Sequence, residues 1–353
     1  MFTDLKGKTK KELEKFAVSI GESPFRGRQL FKWIYSKREN GFEKMTDIGK
    51  KLTAKLKEVA YVSCLKTIER KKSETGDTEK FLFELEDGNR IEAVLMRYPE
   101  QKQGRATVCI SSQVGCAQGC SFCASGKLGF IRNLTTAEII DQVIQIQNEA
   151  DRTSERVHNV VIMGIGEPLV NYDNVLKAIN LINDCDGICI SMRKIAVSTV
   201  GIPPLIKKLA DENLPIRFAI SLHAPDNETR SRIMPINRKY SIEELMDSLK
   251  YYQKITGKRI TIEYTLIEGI NDSVEQARKL GELIRNLHVM VNLIPLNPVK
   301  GFPYKRPSNK KCEIFSNELQ RYKFHAPLRV ERGVNISAAC GQLRLQNLQC
   351  FNE

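Results

Sequence analysis

The chain from residue 106 onward alternates between short apolar runs and longer segments in which apolar residues recur every three or four positions. The apolar runs fall near residues 106–111, 157–163, 194–200, 216–222, 259–266 and 289–296, and the helical segments near 135–149, 172–183, 202–210, 241–255, 273–287 and 308–322. This alternation is typical of parallel βαβ units and predicts an α/β fold. Thr135 with Glu138, and Ser241 with Glu244, have capping-box spacing and mark two of the helix starts.

Six βα units are fewer than the eight of a closed barrel. The pattern therefore allows either a partial barrel or an open doubly wound sheet. In both architectures the functional residues lie at the carboxyl ends of the strands. We expect one further strand near residues 327–331, followed by a C-terminal tail of residues 333–353.

The N-terminal region predicts three amphipathic helices. Thr9 and Glu12 have capping-box spacing at the start of the first helix, Gly21 can end it, and Ser23 with Pro24 suits the start of the second. The predicted buried faces consist of apolar residues at helical spacing: Leu13, Phe16, Ala17 and Ile20; Phe25, Leu30, Phe31, Ile34 and Tyr35; and Ile48, Leu52, Leu56 and Val59.

A β-hairpin is predicted between these helices and the βα units. Alternating apolar residues flank the turn at Asp87 and Gly88, namely Phe81, Phe83 and Leu85 before it and Ile91, Ala93 and Leu95 after it. We therefore divide the chain into a helical accessory domain (1–75), a β-hairpin linker (76–100), the βα domain (101–332) and the C-terminal tail (333–353).

The charge of the chain favours a polyanionic partner. The 353 residues contain 55 Lys and Arg against 42 Asp and Glu, a net charge of +13. Residues 1–80 alone hold 20 Lys and Arg against 12 Asp and Glu, so they carry +8 of that excess. This concentration suits an RNA-binding accessory domain, although a solvated basic surface would look the same in composition. No apolar run approaches the roughly 18 residues of a membrane span, and we expect a cytoplasmic, monomeric protein without a membrane partner.

Three of the ten cysteines form a tight motif directly after the first predicted strand. Cys116, Cys120 and Cys123 have the spacing CxxxCxxC. Three thiolates in such a loop can hold three irons of a 4Fe–4S cluster and leave the fourth iron open to another ligand. A structural zinc ion is the competing interpretation, but zinc prefers four ligands, and no fourth Cys or His follows at a usual local spacing.

The cysteine motif resembles that of the radical S-adenosylmethionine (SAM) enzymes, and further segments resemble the RlmN family of RNA methyltransferases. These segments occur in order along the chain: Cys109-Ile-Ser-Ser-Gln-Val-Gly-Cys116, Gly164-Ile-Gly-Glu-Pro-Leu169, Ser198-Thr-Val-Gly201, Ser221-Leu-His-Ala-Pro225, Met234-Pro-Ile-Asn237, Asn292-Leu-Ile-Pro-Leu-Asn-Pro298 and Ala338-Ala-Cys-Gly-Gln-Leu343. The resemblance implies a partial (β/α)6 TIM-like barrel of radical SAM type. It also implies one 4Fe–4S cluster and two SAM molecules per turnover.

The implied reaction is methylation of C2 of an adenosine in large-subunit ribosomal RNA and of the adenosine beside the anticodon in tRNA. The resemblance makes Cys340 the methyl carrier and Cys109 the thiol that helps to release the product by forming a disulfide with Cys340. Glu92 matches a carboxylate described as a proton acceptor, although a glutamate on a strand is as readily a surface residue. A reductant such as flavodoxin or ferredoxin is also implied.

The resemblance assigns SAM contacts to residues at the ends of successive predicted strands. These residues are Gly166, Glu167, Ser198, Ser221, Leu222, His223 and Asn297. Glycine lets the backbone approach a ligand, and carboxylate, hydroxyl and amide groups can bind the polar groups of SAM.

The sequence departs from related proteins in two segments, and two other functions are alternatives to C2 methylation. Asn335 and Ser337 stand where related proteins commonly carry aspartates, and Leu296 stands where a larger aromatic residue is often seen. The sister group, the Cfr-type enzymes, methylates C8 of the same ribosomal adenosine. A protein of another class, a non-catalytic RNA-binding module with structural zinc, would be colourless and would bind RNA independently of SAM.

Overall fold

The computed structural model describes residues 2–98, 105–127 and 129–343. The predicted linker boundary at 100/101 and the tail beyond residue 343, which includes Cys350, lie outside these ranges. Within them, no helix is long and apolar enough to cross a membrane.

The N-terminal region folds into three helices and a small two-stranded sheet. Its elements are β1 (Thr3–Asp4), α1 (Lys10–Ser19), α2 (Pro24–Phe31), α3 (Lys50–Val59) and β2 (Ala60–Tyr61), with β1 parallel to β2. The capping box at Thr9 is present, because its hydroxyl accepts from the Glu12 N–H and the Glu12 carboxylate accepts from the Thr9 N–H. A π-helical turn, Lys32–Ser36, continues α2 and buries Trp33, Ile34 and Tyr35.

The predicted burial of Phe25 is wrong, since 52% of this residue is exposed. Gly27 fixes which face of α2 meets α1, because a Cβ atom on Gly27 would lie 2.4 Å from the Glu14 nitrogen. Phe25 precedes Gly27 by two residues, which is about 200° around a helix of 3.6 residues per turn. It therefore points away from α1, and the Arg28 guanidinium lies 5.8 Å from the centre of its ring.

Three antiparallel strands follow the helices: β3 (Lys66–Lys72), β4 (Thr78–Glu84) and β5 (Arg90–Tyr98). The hairpin predicted around Asp87 and Gly88 is β4–β5, and Gly88 adopts the positive φ (+80°) that its turn requires. The pattern did not predict β3, which is mostly charged and exposed. Because β5 also pairs with the next strand of the chain, the hairpin is part of the main sheet.

All six predicted βα units are present. Their strands are β6 (Arg105–Ile110), β9 (Val157–Ile162), β10 (Ile195–Thr199), β11 (Arg217–Ser221), β12 (Ile260–Leu266) and β13 (Val289–Pro295). The following helices are α5 (Thr136–Asp151), α6 (Tyr172–Asn183), α7 (Pro203–Asp211), α9 (Ile242–Thr256), α10 (Val274–Ile284) and α11 (Asn309–Arg321). The additional short elements are β7 (Gln113–Gly115), α4 (Ala124–Lys127), β8 (Phe130–Asn133) and α8 (Asn227–Ile233).

The strand order decides between the two architectures that the pattern allowed. The nine-stranded sheet runs β13-β12-β11-β10-β9-β6-β5-β4-β3, and its strands from β6 to β13 are parallel. Each new parallel strand is added on the same side, whereas a doubly wound sheet reverses direction at a switch point. The βα units therefore form a partial barrel, and the carboxyl ends of its six strands face one side.

The predicted strand near 327–331 is only a short backbone association with the edge of β13. It contains one isolated bridge, between Leu293 and Leu328. The N–H of Leu293 donates to the Pro327 carbonyl over 3.1 Å, and the N–H of Arg329 donates to the Leu293 carbonyl over 2.8 Å. This segment covers the edge of β13 and leads the chain back across the carboxyl ends of the strands.

Candidate active site

The loop that carries the cysteine motif is fixed by a close backbone contact at its base. Gly115 ends β7 with φ +74°, and a Cβ atom there would lie 1.9 Å from the Gly129 carbonyl oxygen. The N–H of Cys116 donates to that same oxygen over 2.8 Å. Only glycine permits this approach, so the sequence at residue 115 determines where the cysteine loop begins.

Cys116, Cys120 and Cys123 line one cavity with their thiols largely buried. Their three sulfur atoms are not all within 4.8 Å of one another. A mononuclear zinc site, with Zn–S bonds of about 2.3 Å, would bring its sulfurs to about 3.8 Å. At least one pair of these sulfurs therefore lies further apart than a zinc ion would hold them, and the three thiols match the ligand set of a 4Fe–4S cluster with one open iron.

Without a bound cation, burial governs the protonation of these three thiols. It raises the pKa of Cys116 to about 12 and that of Cys120 well above its usual value, and the neighbouring thiols add to the shift. The thiols therefore hold their protons at neutral pH until a cation replaces them, as is usual for metal sites.

Six of the seven residues predicted to bind SAM line the cavity that contains the cysteine motif. This cavity has a volume of about 160 Å³ and lies at the carboxyl ends of the parallel strands. Its predicted lining residues are Gly166, Glu167, Ser198, Ser221, His223 and Asn297. Leu222 is the exception, because its side chain is completely buried in the main core. Its backbone N–H donates to the Glu263 carbonyl over 3.1 Å, and its carbonyl accepts from the Arg230 Nε over 3.2 Å.

Glu167 is held at the cavity wall by two backbone groups. Its Oε1 accepts from the Leu169 N–H over 3.0 Å and its Oε2 from the Val200 N–H over 2.8 Å. Burial raises the pKa of Glu167 to about 7. Gly166 before it has φ +106°, and a Cβ atom there would lie 2.6 Å from Cβ of Gln113. This close packing brings the backbone of β9 against the loop that carries the cysteines.

The strand ends next to β9 present hydroxyl and imidazole groups. The hydroxyls of Ser198 and Ser221 lie 3.3 Å apart. His223 has φ +58°, and its Nδ1 accepts from the Thr265 N–H over 2.9 Å. Burial, together with the charge of Arg230, lowers the pKa of His223 to about 3. His223 is therefore neutral, and with Nδ1 accepting, its proton is on Nε2.

Asn297 offers the best evidence that this cavity fits a polar ligand. Its Nδ2 donates to the Cys340 carbonyl over 3.1 Å, while its buried Oδ1 has no hydrogen-bond partner in the part of the chain that the structure describes. A buried amide oxygen without a partner is costly. The ammonium or ribose hydroxyl groups of SAM are donors that would satisfy it.

A second cavity adjoins the first and contains both predicted catalytic thiols. Cys109, at the end of β6, and Cys340, in the tail, line it together, and Cys340 lines the first cavity as well. Burial, followed by the nearby Cys340 thiol, raises the pKa of Cys109 to about 12. The two thiols are 231 positions apart in sequence, yet the fold brings them to one cavity.

The described part of the tail is bound to the cysteine loop. The N–H of Ala124 donates to the Gly341 carbonyl, and the hydroxyl of Ser125 donates to the Leu343 carbonyl, both over 2.8 Å. Cys340 is thereby held beside the loop that would bind the cluster.

Glu92 is buried but lines neither cavity. It lies on β5, where its Oε1 forms an ion pair with Lys80 over 2.9 Å. Val94, two residues further on the same face of β5, pairs in register with Cys109. Glu92 is therefore two residues from the register partner of Cys109 on β5 and faces neither cavity.

Sequence reasoning missed two charged residues of the site, Arg329 and Glu263. Arg329 lines both cavities, and the charges of Cys340 and Glu263 raise the pKa of its guanidinium. Glu263 accepts from the Asn292 amide over 2.7 Å. A glutamate within the apolar strand β12 was a signal available in the sequence. No sequence signal pointed to Arg329, because its position depends on how the chain returns past β13.

Comparison with known proteins agrees with this geometry. Residues 3–62 match the N-terminal domain of ribosomal RNA large subunit methyltransferases, and residues 110–281 match the radical SAM superfamily. A protein of Caldanaerobacter subterraneus subsp. tengcongensis described as "Probable dual-specificity RNA methyltransferase RlmN" is 48% identical over 346 residues, 98% of this chain and 99% of the relative. The chain belongs to the RlmN family of radical SAM RNA methyltransferases.

Further RlmN proteins show the same extent of similarity. The protein of that description from Thermotoga maritima is 46% identical over 339 residues, 96% of each chain. The crystal structure of a radical SAM methyltransferase from Sphaerobacter thermophilus superimposes with a TM-score of 0.93 at 41% identity, covering 97% of this chain and 99% of that one. The RlmN family implies a 4Fe–4S cluster and SAM as cofactors, and RNA as the substrate.

Proposed function

We propose that this RlmN-family chain methylates C2 of an adenosine in large-subunit ribosomal RNA and of the adenosine beside the anticodon in tRNA, using two SAM molecules per turnover and Cys340 as the methyl carrier. One observation carries the proposal: Cys340 lines both the cavity with the cysteine motif and the cavity with Cys109. A carrier must reach the group that supplies the methyl and the thiol that releases the product, and this position meets both requirements.

The cofactors and the chain have separate tasks. When bound, the cluster and SAM supply methyl groups and one-electron hydrogen abstraction. Cys116, Cys120 and Cys123 would hold the cluster. Gly166, Glu167, Ser198, Ser221, His223 and Asn297 would bind SAM; for Leu222 we propose only a backbone contribution, since its side chain is in the core.

Cys109 and Cys340 complete the reaction by thiol chemistry. Once the carrier carbon is bonded to C2 of the adenine, the C2 hydrogen leaves as a proton, which Cys109 helps to remove, and the electron left over from radical addition would pass to the cluster when it is bound. The Cys109 thiolate then attacks the Cys340 sulfur, forming the S–S bond and breaking the carbon–sulfur bond. The electron pair of the broken bond stays with the carbon, which takes up a proton and becomes the methyl group. Because burial raises the pKa of Cys109 to about 12, its proton must first be taken by a base. We propose Glu92 for this role, since it lies on β5 two residues from Val94, the register partner of Cys109. Its carboxylate would have to turn from Lys80 towards the thiol.

Partners and organisation complete the proposal. The helical accessory domain (1–75) would bind RNA through its basic residues and exposed Phe25, next to the hairpin (76–100), the barrel (101–332) and the tail (333–353). We propose a monomer that receives electrons from a flavodoxin or ferredoxin and acts in the cytoplasm, where ribosomal RNA and tRNA are found.

The experiment uses protein purified without air and reconstituted with iron and sulfide. It is incubated with SAM, dithionite and unmodified ribosomal RNA or tRNA, and the digested RNA is analysed by mass spectrometry. We expect 2-methyladenosine from both RNAs, a covalent protein–RNA adduct that accumulates in Cys109→Ala, and neither product in Cys340→Ala. Formation of 8-methyladenosine would instead assign the Cfr-type specificity, and methylation by Cys340→Ala would refute the carrier.

A further inference from the structure

A buried ion pair lies behind the tail, on the face of the sheet that carries Cys109. Lys80 on β4 and Glu92 on β5 are 5% and 3% exposed, and their charged groups are 2.9 Å apart. In register, Lys80 lies opposite Val94, and Val94 lies opposite Cys109. Buried ion pairs seldom add net stability over apolar residues of similar size. This pair therefore calls for a function other than stabilising the fold.

Lys80 also contacts the tail directly. Its Nζ donates to the backbone carbonyl of Ser337 over 3.4 Å, three residues before Cys340. Ser337 has φ +53°, a left-handed conformation that is uncommon outside glycine. The turn that it ends begins at Gly333, where a Cβ atom would lie 2.7 Å from the Thr78 side chain. Thr78 and Lys80 of β4 thus contact both ends of the turn.

We propose that Lys80 is a positioning residue that fixes the turn before Cys340 against β4 and thereby places the carrier thiol over Cys109. The same ammonium group binds the Glu92 carboxylate and the Ser337 carbonyl, so it links the proposed base to the carrier segment. The inference rests on the proposed role of Cys340, but it concerns only the position of the tail. It is therefore tested without RNA.

The test measures how fast Cys109 and Cys340 form a disulfide in the cluster-containing protein treated with a diazene thiol oxidant. Peptide mass spectrometry quantifies the product for the wild type, Lys80→Met and Lys80→Arg. Lys71→Met is the matched control, because Lys71 lies opposite Lys80 in register on the outer strand β3 and is far more exposed.

We expect Lys80→Met to slow disulfide formation by about tenfold, the loss typical of removing one hydrogen bond from a charged donor. Lys80→Arg, which keeps a charged donor, restores most of the rate, and Lys71→Met leaves it unchanged. Wild-type kinetics in Lys80→Met, or an equal effect of Lys71→Met, would overturn the proposal.

A double variant separates positioning from simple charge compensation. Lys80→Met leaves a buried carboxylate without its lysine, which can lower the stability of the whole fold. In Lys80→Met/Glu92→Gln that charge is removed, and Glu92→Gln alone is the reference because Glu92 is the proposed base. We expect the melting temperature of the double variant to recover, while its disulfide formation stays about tenfold slower than that of Glu92→Gln. A double variant as fast as Glu92→Gln would show that Lys80 only neutralises Glu92. Failure of the wild type to methylate RNA would refute the proposed function and leave this readout intact.

Discussion

The side-chain amide of Asn297 donates a hydrogen bond to the backbone carbonyl of Cys340 over 3.1 Å. Asn297 follows β13, whereas Cys340 belongs to the tail, so this bond joins the wall of the proposed SAM cavity to the proposed carrier. The Oδ1 of the same amide has no hydrogen-bond partner among the described residues and is available to a ligand donor. One side chain therefore connects ligand binding with the position of the carrier.

Replacing Asn297 should weaken SAM binding and carrier methylation together. In Asn297→Ala the acceptor for SAM and the donor to the tail are both lost, and we expect an affinity for SAM about tenfold lower, the effect of one to two hydrogen bonds. Equilibrium dialysis with cluster-containing protein measures the affinity, and mass spectrometry measures methylation of Cys340. Asn286→Ala, in the exposed loop before β13, is the control. Unchanged SAM affinity in Asn297→Ala would remove Asn297 from the site.

The contact at Gly115 should be required for cluster binding. In Gly115→Ala the new methyl group meets the Gly129 carbonyl at 1.9 Å, which displaces the start of the cysteine loop. We expect the variant to fold but to retain well under half of the iron of the wild type after reconstitution, measured by iron analysis and visible absorbance. Gly129→Ala has a similar positive φ (+69°) but open space around its Cβ position, so it controls for backbone strain and should keep its iron. Equal iron loss in both variants would contradict the steric explanation.

The raised pKa of Cys109 predicts its alkylation behaviour. The thiolate is the reactive form, and a thiol with a pKa of about 12 gains thiolate about tenfold per pH unit throughout the range from pH 8 to 10. An ordinary exposed thiol levels off above about pH 9. Labelling with iodoacetamide, followed by peptide mass spectrometry, should show this continued rise for Cys109, with added N-acetylcysteine as the reference thiol. A plateau for Cys109 below pH 9 would show that the cavity does not suppress its ionisation.

Exposed Phe25 should contribute to RNA binding rather than to stability. Its ring is exposed on α2 and lies near the Arg28 guanidinium. An unpaired RNA base can stack on such a ring. We expect Phe25→Ala to bind tRNA several-fold more weakly, by about the 1–3 kcal/mol of one stacking contact, with an unchanged melting temperature. Val18→Ala tests a second exposed apolar residue of this domain, 54% exposed, and should leave RNA affinity unchanged. A fall in melting temperature for Phe25→Ala would instead indicate a packing role.

The sequence predicted the elements whose signals are local. Each βα unit repeats a strand period and a helix period within about 35 residues, so all six were predicted within a few positions. The predicted burial of Phe25 was wrong because helical spacing shows only which residues share a face. Which face is buried depends on the contact of Gly27 with α1. β3 was missed because its charged residues give no apolar alternation.

The candidate site divides in the same way. The cysteine motif follows from its spacing, whereas the SAM contacts were assigned through the resemblance to the RlmN family, and the order of the βα units only placed them at strand ends. Arg329 and Lys80 reach the site through contacts between segments that are far apart in sequence, and no local pattern reports such contacts. The burial of Leu222 was predictable, because neighbouring residues at a strand end alternate between core and cavity and Leu222 is the apolar residue between Ser221 and His223.

The backbone association of residues 325–329 with β13 protects the protein from aggregation as well as leading the chain to the candidate site. It satisfies N–H and carbonyl groups of β13, as in the bonds from Val291 to His325 and from Leu293 to Pro327. At the opposite end of the sheet, the lysine-rich strand β3 discourages strand addition by its charge. A chain shortened before residue 325 would therefore lose Cys340, the proposed methyl carrier, and also expose an apolar strand edge that templates aggregation.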